Sequence, residues 1–193
     1  MQLTSTNTTI VESKAAALAD RLLGGVGTRL AHSARVALEA DRVSELLDAP
    51  WRSAIVDAAW LHDIGYSAEV ASTGFHPLDG ASWLSEHAWP IEVCQRVAWH
   101  TAASAEGALR GLDETLAAEF DPPPALAAAA LAWADLTSSA TGERSTVADR
   151  LADILRRYPA DSVVHRAITE ATPTLLDSVR DIEARLTSLS EAS

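Results

Sequence analysis

A chain of 193 residues is long enough for one domain with a hydrophobic core, and two full domains are not expected at this length. Acidic residues (27) outnumber basic residues (15) and give a formal charge of −12, so the overall field repels polyanions and disfavours a general nucleic-acid binder. The only cysteine is Cys94, which excludes an intrachain disulfide and a cluster of cysteine metal ligands.

The N-terminus and the longest apolar run bear on where the protein resides. Residues 1–14 carry neither the basic region nor the apolar core that is typical of a secretory signal. The apolar run 125-ALAAAALAWA-134 is only about half as long as the roughly 20 residues that cross a bilayer. We therefore expect a cytoplasmic protein that does not associate with membranes.

Helix signals dominate the chain and alternating strand patterns are almost absent, so the sequence predicts an all-α fold. Residues 1–11 are expected to form a disordered or frayed tail, and residues 12–190 a single domain. A first helix should run over about 12–23 and end at a pair of glycines. A second should lie within 28–49, where the apolar residues are spaced as in an amphipathic helix.

Prolines mark the starts of the next helices, because the missing N–H of proline would have no partner in the first turn of a helix. They predict helices over about 50–63, 77–88, 90–101 and 124–138. Residues 145–190 should add two or three C-terminal helices, with breaks near Pro159 and Pro173. The segment 103–124, with two glycines and mixed polarity, is predicted to be a loop or a lid over a site.

Polar residues that bind metals interrupt this apolar pattern. His62 and Asp63 are adjacent in the run 60-WLHDIGYSAEV-70, and Asp135 follows a helix that is apolar on nearly every face and is therefore predicted to be buried. A buried carboxylate is costly unless it is paired, hydrogen-bonded or bound to a cation. Imidazole and carboxylate both bind divalent metals, so two histidines, including His32, and two aspartates from three helices can converge on one ion.

The order His32, then His62-Asp63, then Asp135 resembles the H…HD…D motif of the HD superfamily of metal-dependent phosphohydrolases. The resemblance covers residues 28–142 and includes the HDIG form of the doublet. It implies a helical bundle with a metal site at its centre, to which residues 145–190 add C-terminal helices. The fuller run HDIGYSAEVASTGFHPLDGA is similar to a bacterial subgroup of small stand-alone HD proteins.

The same resemblance implies the metal ligands His32, His62, Asp63 and Asp135. In subfamilies with two ions, extra histidines lie between the doublet and the final aspartate, and His76 and His100 occupy that interval. They would hold a second ion with Asp63 as the bridge, although a supporting or substrate-contacting role for either histidine stays open. The expected cofactor is one or two divalent ions, for which Mn, Fe, Co, Ni, Mg and Zn are all compatible. His87 and His165 lie among polar neighbours and are interpreted as surface residues.

The implied activity is hydrolysis of a phosphomonoester, such as a nucleotide or another small phosphorylated metabolite, by hydroxide that the metal activates. His62 and Asp63 would be the central catalytic pair. Five residues are predicted to contact the substrate: Arg35, Tyr66, Thr101, Ser104 and Arg110. The arginines would bind phosphate, and Tyr66 stands where many members carry a lysine after HDIG.

Two other functions fit the same residues. The six ligands also suit a mixed-valent diiron oxygenase resembling myo-inositol oxygenase and the phosphonate-cleaving oxygenases, since ligand types do not separate the two chemistries. Residues 21–31 lack the tyrosine–glutamate pair that phosphonate-cleaving members keep there, which counts against this alternative. The second alternative is a non-catalytic HD module that binds a nucleotide or a protein partner. The expected partner is a small phosphorylated molecule and not a nucleic-acid polymer, and a homodimer is left open.

Overall fold

The computed structural model describes residues 13–191, and the predicted N-terminal tail lies outside them. Ten α-helices form this part of the chain: α1 (Lys14–Leu23), α2 (Arg29–Val43), α3 (Trp51–Leu61), α4 (His76–Glu86), α5 (Ile91–Ala98), α6 (Ala103–Arg110), α7 (Asp113–Glu119), α8 (Ala125–Leu136), α9 (Val147–Arg157) and α10 (Val163–Glu191). Two 3-10 turns, Ser44–Leu46 and Ile64–Tyr66, follow α2 and α3. No strand occurs over residues 13–191, apart from an isolated bridge between Ser138 and Arg144. The all-α prediction is confirmed.

Local signals explain where several helices begin. The Ser13 hydroxyl caps α1 by accepting a hydrogen bond from the Ala16 N–H, and Thr146 caps α9 in the same way. Pro50, Pro90 and Pro124 each stand immediately before a helix, while Pro77 is the second residue of α4. The proline-based starts are therefore correct to within a residue or two.

Two predictions about the second half of the chain are wrong. The loop predicted over 103–124 is wrong, because the segment contains α6 and α7, which are separated at Gly111 in the left-handed conformation. The alternative of a lid over a site stays a prediction. Pro173 does not break the last helix, since α10 continues through it to Glu191. Pro173 is exposed, and buried residues on both sides, such as Ile168 and Leu175, keep the helix packed against the rest of the domain. The break predicted near Pro159 does separate α9 from α10.

The centre of the domain is α8, which contacts α2, α3, α5, α9 and α10. Its buried positions include Ala127, Ala130 and Ala134, whose small side chains let neighbouring helices approach closely. Burial continues to Asp135 at the last turn, as the apolar pattern predicts. The fold therefore places a carboxylate in the interior beside the ends of several helices. None of the helices over residues 13–191 combines the length and hydropathy needed to cross a membrane.

The loop before α4 is held by one buried side chain, Asp79. Its carboxylate accepts hydrogen bonds from the backbone N–H groups of Ser72, Thr73 and Gly74 at 2.9–3.1 Å, and from the Thr73 hydroxyl at 2.7 Å. These bonds connect the loop to the first turn of α4. They therefore determine where that helix begins, at His76.

Replacement of Asp79 by alanine should lower the free energy of unfolding by about 3 kcal/mol, because three backbone donors would lose a charged acceptor. Chemical denaturation measures this change. The matched control is Asp121→Ala, which removes an exposed carboxylate and should change stability by less than about 0.5 kcal/mol. Equal effects of the two substitutions would show that the loop is not anchored through Asp79.

Candidate metal centre

Five segments of the fold deliver the six predicted metal ligands to one cavity of about 360 Å³. His32 lies on α2, the His62-Asp63 pair directly follows α3, and His76 is the first residue of α4. His100 lies two residues after the end of α5, and Asp135 is near the end of α8. All six line the cavity wall, so the structure brings together residues that are separated by more than a hundred positions in the chain.

The ligand atoms form two groups that share one carboxylate. His32, His62 and Asp63 make one group, and Asp63, His76 and His100 make the other, with the ligand atoms of each group within 4.8 Å of one another. Asp135 is outside both groups, although its Oδ1 lies 3.1 Å from Nε2 of His32. A nitrogen-rich set with a shared carboxylate suits divalent transition metals.

Backbone carbonyls orient three of the histidines. Nδ1 of His32 faces the carbonyl oxygen of Ser139 at 3.0 Å, Nδ1 of His62 faces that of Ala59 at 2.7 Å, and Nδ1 of His100 faces that of Val97 at 2.7 Å. A carbonyl oxygen only accepts, so Nδ1 donates, and in the neutral form of the ring Nε2 then carries the lone pair. Metal-binding histidines are commonly oriented in this way.

The state of these residues fits a bound cation. Nε2 of His62 is buried without a hydrogen-bond partner, which is costly unless something binds it. Burial lowers the pKa of His62 to about 4 and also lowers the pKa of His76, so both rings are neutral near pH 7. Neutral imidazole is the form that binds metals. The residues present therefore match a divalent metal site.

Asp63 is held as a carboxylate by the groups around it. Burial alone would raise its pKa, but attraction to His62 and Arg29 outweighs burial and keeps the pKa below its ordinary range. Arg29 donates a 2.6 Å hydrogen bond to Oδ2, whereas Oδ1 lies 3.6 Å from Nε2 of His62 and 3.7 Å from Nε2 of His76. One oxygen is thus paired with arginine, and the other faces the histidines.

Three stacked side chains lie beside Asp63. The Arg29 guanidinium lies 3.3 Å from the centre of the Tyr66 ring, and the Tyr66 ring stacks on His76 with 4.1 Å between ring centres. Such cation–π and ring contacts stabilise a fixed arrangement. Sequence reasoning missed Arg29, although its position one turn before His32 on the same helix was a usable signal.

Asp135 is held by two neighbours at the other side of the cavity. The Thr101 hydroxyl donates to Oδ2 at 2.5 Å, and Nη2 of Arg150 lies 3.3 Å from both Oδ1 of Asp135 and Nε2 of His32. Thr101 has a φ of 48°, a left-handed conformation that is rare for a β-branched residue. The backbone is therefore strained at Thr101, and in this conformation the Thr101 hydroxyl reaches the buried carboxylate of Asp135.

The glycine of the HDIG sequence is required by the close approach of two backbone segments. A Cβ atom on Gly65 would lie 2.1 Å from the carbonyl oxygen of His76 and 2.7 Å from its Cα. No side chain fits there without movement of α4. Gly65 thus allows His76 to lie beside Asp63, which brings the two ligand groups together.

The predicted substrate-contacting residues occupy different places. Tyr66 and Thr101 line the cavity, but Arg35, Ser104 and Arg110 do not. Arg35 donates to the Gly142 carbonyl and pairs with Glu39, Arg110 pairs with Glu106, and Ser104 is exposed on α6. A contact between substrate and any of the five residues stays a prediction. His87 is exposed, as expected for a surface residue, whereas His165 is partly buried.

The C-terminal helices contribute a wall that sequence reasoning did not assign to the site. Arg150, Ile154 and Tyr158 from α9 and its end, with Val164 and Ile168 from α10, line the cavity. The spacing of the first three, four residues apart, places them on one face of a helix and was the available signal.

Comparisons with protein-family models, with curated proteins and with solved structures each gave no match.

Substitution of Gly65 by alanine should displace His76 and remove the metal-binding capacity of the Asp63, His76 and His100 group, since the new methyl group would overlap the α4 backbone. Overpacking of this kind costs about 1–3 kcal/mol of stability or more. Elemental analysis and thermal unfolding measure the two effects. Gly25→Ala is the matched control, because a Cβ there would meet nothing within 4 Å. A Gly65→Ala protein with the metal content and stability of the control would contradict this explanation of the glycine.

Proposed function

We propose that the protein is a metal-dependent phosphohydrolase of the HD superfamily, with two divalent ions held on either side of Asp63. The observation that carries this proposal is the buried carboxylate of Asp63, which is common to two groups of histidine ligands in one cavity. Further support comes from the H…HD…D order of the residues and from the helices that deliver them.

His32, His62 and Asp135 would hold one ion together with Asp63, and His76 and His100 would hold the other. When bound, divalent ions lower the pKa of a coordinated water towards neutrality and neutralise charge on a phosphoryl group. The set of nitrogen and oxygen ligands is compatible with several metals, including Mn, Fe, Co, Ni and Zn, while Mg prefers a site richer in oxygen.

The remaining residues of the site prepare this centre. Arg29 keeps Asp63 ionised and fixes one of its oxygens, and backbone carbonyls face Nδ1 of three histidines, which leaves Nε2 as the nitrogen that can bind a metal. Thr101 and Arg150 hold Asp135 in place. Ligands that need no rearrangement before they bind cost less free energy to assemble.

The dimensions of the cavity favour a small substrate. A volume of about 360 Å³ is near the lower end of the roughly 300–1,000 Å³ that is typical of small-molecule sites. The formal charge of −12 also disfavours a polyanionic polymer. A small phosphomonoester that approaches a locally cationic centre is compatible with both observations.

The test is elemental analysis of protein purified without added metal, together with phosphate release from nucleoside monophosphates and simple phosphomonoesters. The proposal predicts about two equivalents of divalent metal and phosphate release that stops when a chelator removes the metal. Two equivalents of iron without phosphate release would favour the diiron oxygenase instead. Protein without metal that binds a nucleotide would favour the non-catalytic module.

Substitution of Asp63 by alanine should weaken metal binding by more than about a hundredfold and abolish activity, because both ligand groups lose their common carboxylate. Circular dichroism should show largely unchanged helical content. Asp63→Asn keeps the side-chain volume and should behave similarly, while Asp48→Asn, at an exposed position, is the control. Full metal content and activity in the Asp63 variants would refute the proposed centre.

A further inference from the structure

One face of α9 lines the cavity, and the side chains on it change from cationic to apolar along the helix. Arg150 and Ile154 are four residues apart, so their side chains lie on the same side of the helix, and Tyr158 follows directly after the helix ends. With a rise of about 1.5 Å per residue, Ile154 lies about 6 Å beyond Arg150 along the helix axis, and Tyr158 about 12 Å beyond it. The wall therefore begins with a cation beside the metal ligands and continues with apolar and aromatic side chains.

Arg150 is buried, with 8% of its surface exposed, and some of its hydrogen-bond donors have no partner. Its Nη2 lies 3.3 Å from Asp135 and from His32, but its Nε and Nη1 are buried without a hydrogen-bond partner. A guanidinium carries five N–H donors in a planar fork that matches the oxygens of a phosphate. Unpaired donors on a buried cation are costly, and a small shift of the guanidinium that let a bound anion reach them would remove that cost.

The other two arginines on this cavity wall are already engaged. Arg29 donates to Asp63 and stacks on Tyr66. The Arg157 side chain is 40% exposed and pairs with Asp153 at 2.8 Å. Within the part of the chain that the structure describes, Arg150 is therefore the arginine of this wall that combines burial with unpaired donors.

Three aliphatic side chains lie beyond Arg150 on the cavity wall. Ile154 on α9 faces the same cavity as Val164 and Ile168 on α10, and both isoleucines are buried. A polar group placed against these side chains would lose its hydration without gaining a partner, whereas an apolar group would be stabilised by leaving water.

We propose that the cavity binds a phosphomonoester in one orientation, with the phosphate at Arg150 beside the metal ligands and a compact apolar or aromatic group against Ile154, Val164 and Ile168. This inference rests on the proposed phosphohydrolase function and narrows its substrate class. Arg150 is the phosphate-binding residue of the site. Monoesters of small apolar alcohols or phenols are preferred over those of polyols such as glycerol.

The test uses the metal-loaded protein and isothermal titration calorimetry with two probes. Inorganic phosphate measures binding at the phosphate position alone. Phenylphosphonate, which has no ester bond to hydrolyse, measures binding at the phosphate position and at the apolar position together. Phenylphosphonate should bind about tenfold tighter than phosphate, because its ring leaves water. Arg150→Gln should weaken the binding of both probes by about tenfold or more. Ile154→Thr should weaken the binding of phenylphosphonate and leave that of phosphate unchanged.

The matched control is Arg156→Gln. It removes the same charge from the same helix, but the Arg156 side chain is 72% exposed and does not line the cavity. Affinities for both probes should equal those of the unmodified protein. Metal content is measured for every variant, so that loss of an anion site is distinguished from loss of the ions.

Three results would overturn the inference. Unchanged phosphate affinity in Arg150→Gln with full metal content would remove Arg150 from the phosphate site. Equal affinities of the unmodified protein for the two probes would remove the apolar subsite. If Arg150→Gln does not fold or loses metal, Arg150→Lys decides, since it keeps the charge but not the planar fork and should bind phosphate severalfold more weakly. Unchanged phosphate affinity in Arg150→Lys would likewise overturn the role of Arg150.

Failure of the proposed function itself gives a different pattern. In that case the metal-loaded, unmodified protein binds neither probe and releases no phosphate from phenyl phosphate or glycerol phosphate.

Discussion

The ionised carboxylate of Asp63 in the interior is the constraint on which the rest of the site depends. A charge in that position is stable only if opposite charge and hydrogen-bond donors surround it. Arg29 pairs with one oxygen, and the other faces His62 and His76. The first turn of α2, which carries Arg29, must therefore lie beside Asp63, and the oxygen that faces the two neutral histidines is left to bind a cation.

Several local features that would be unfavourable elsewhere lie around the same cavity. Gly65 permits the backbone of His76 to come close, and Thr101 adopts a left-handed conformation while its hydroxyl binds Asp135. His62 keeps a buried nitrogen without a partner. Natural sequences depart from local preferences mainly at functional sites, and here the departures cluster around one cavity. Their clustering supports a metal-binding role more strongly than any single residue does.

Sequence reasoning predicted what depends on local or strongly patterned signals. Proline positions located helix starts, and the apolar faces of 125–134 indicated that Asp135 is buried. It failed where contacts distant in sequence decide the outcome: α6 forms because it packs against α10, and α10 continues through Pro173 for a similar reason. Arg29 and Arg150 were missed because an arginine on a helix is usually solvated, and only the fold shows that these two lie at the cavity. The six candidate ligands were predicted from their order along the chain, and the structure brings all six to one cavity.

The most direct test of the central claim is the anomalous scattering from crystals of the metal-loaded protein. We predict two peaks on either side of Asp63, one within about 2.0–2.2 Å of the ligand atoms of His32, His62 and Asp63, and the other at similar distances from those of Asp63, His76 and His100. A single peak that does not involve Asp63, or no peak in the cavity at saturating metal, would contradict the claim that this carboxylate organises a metal centre.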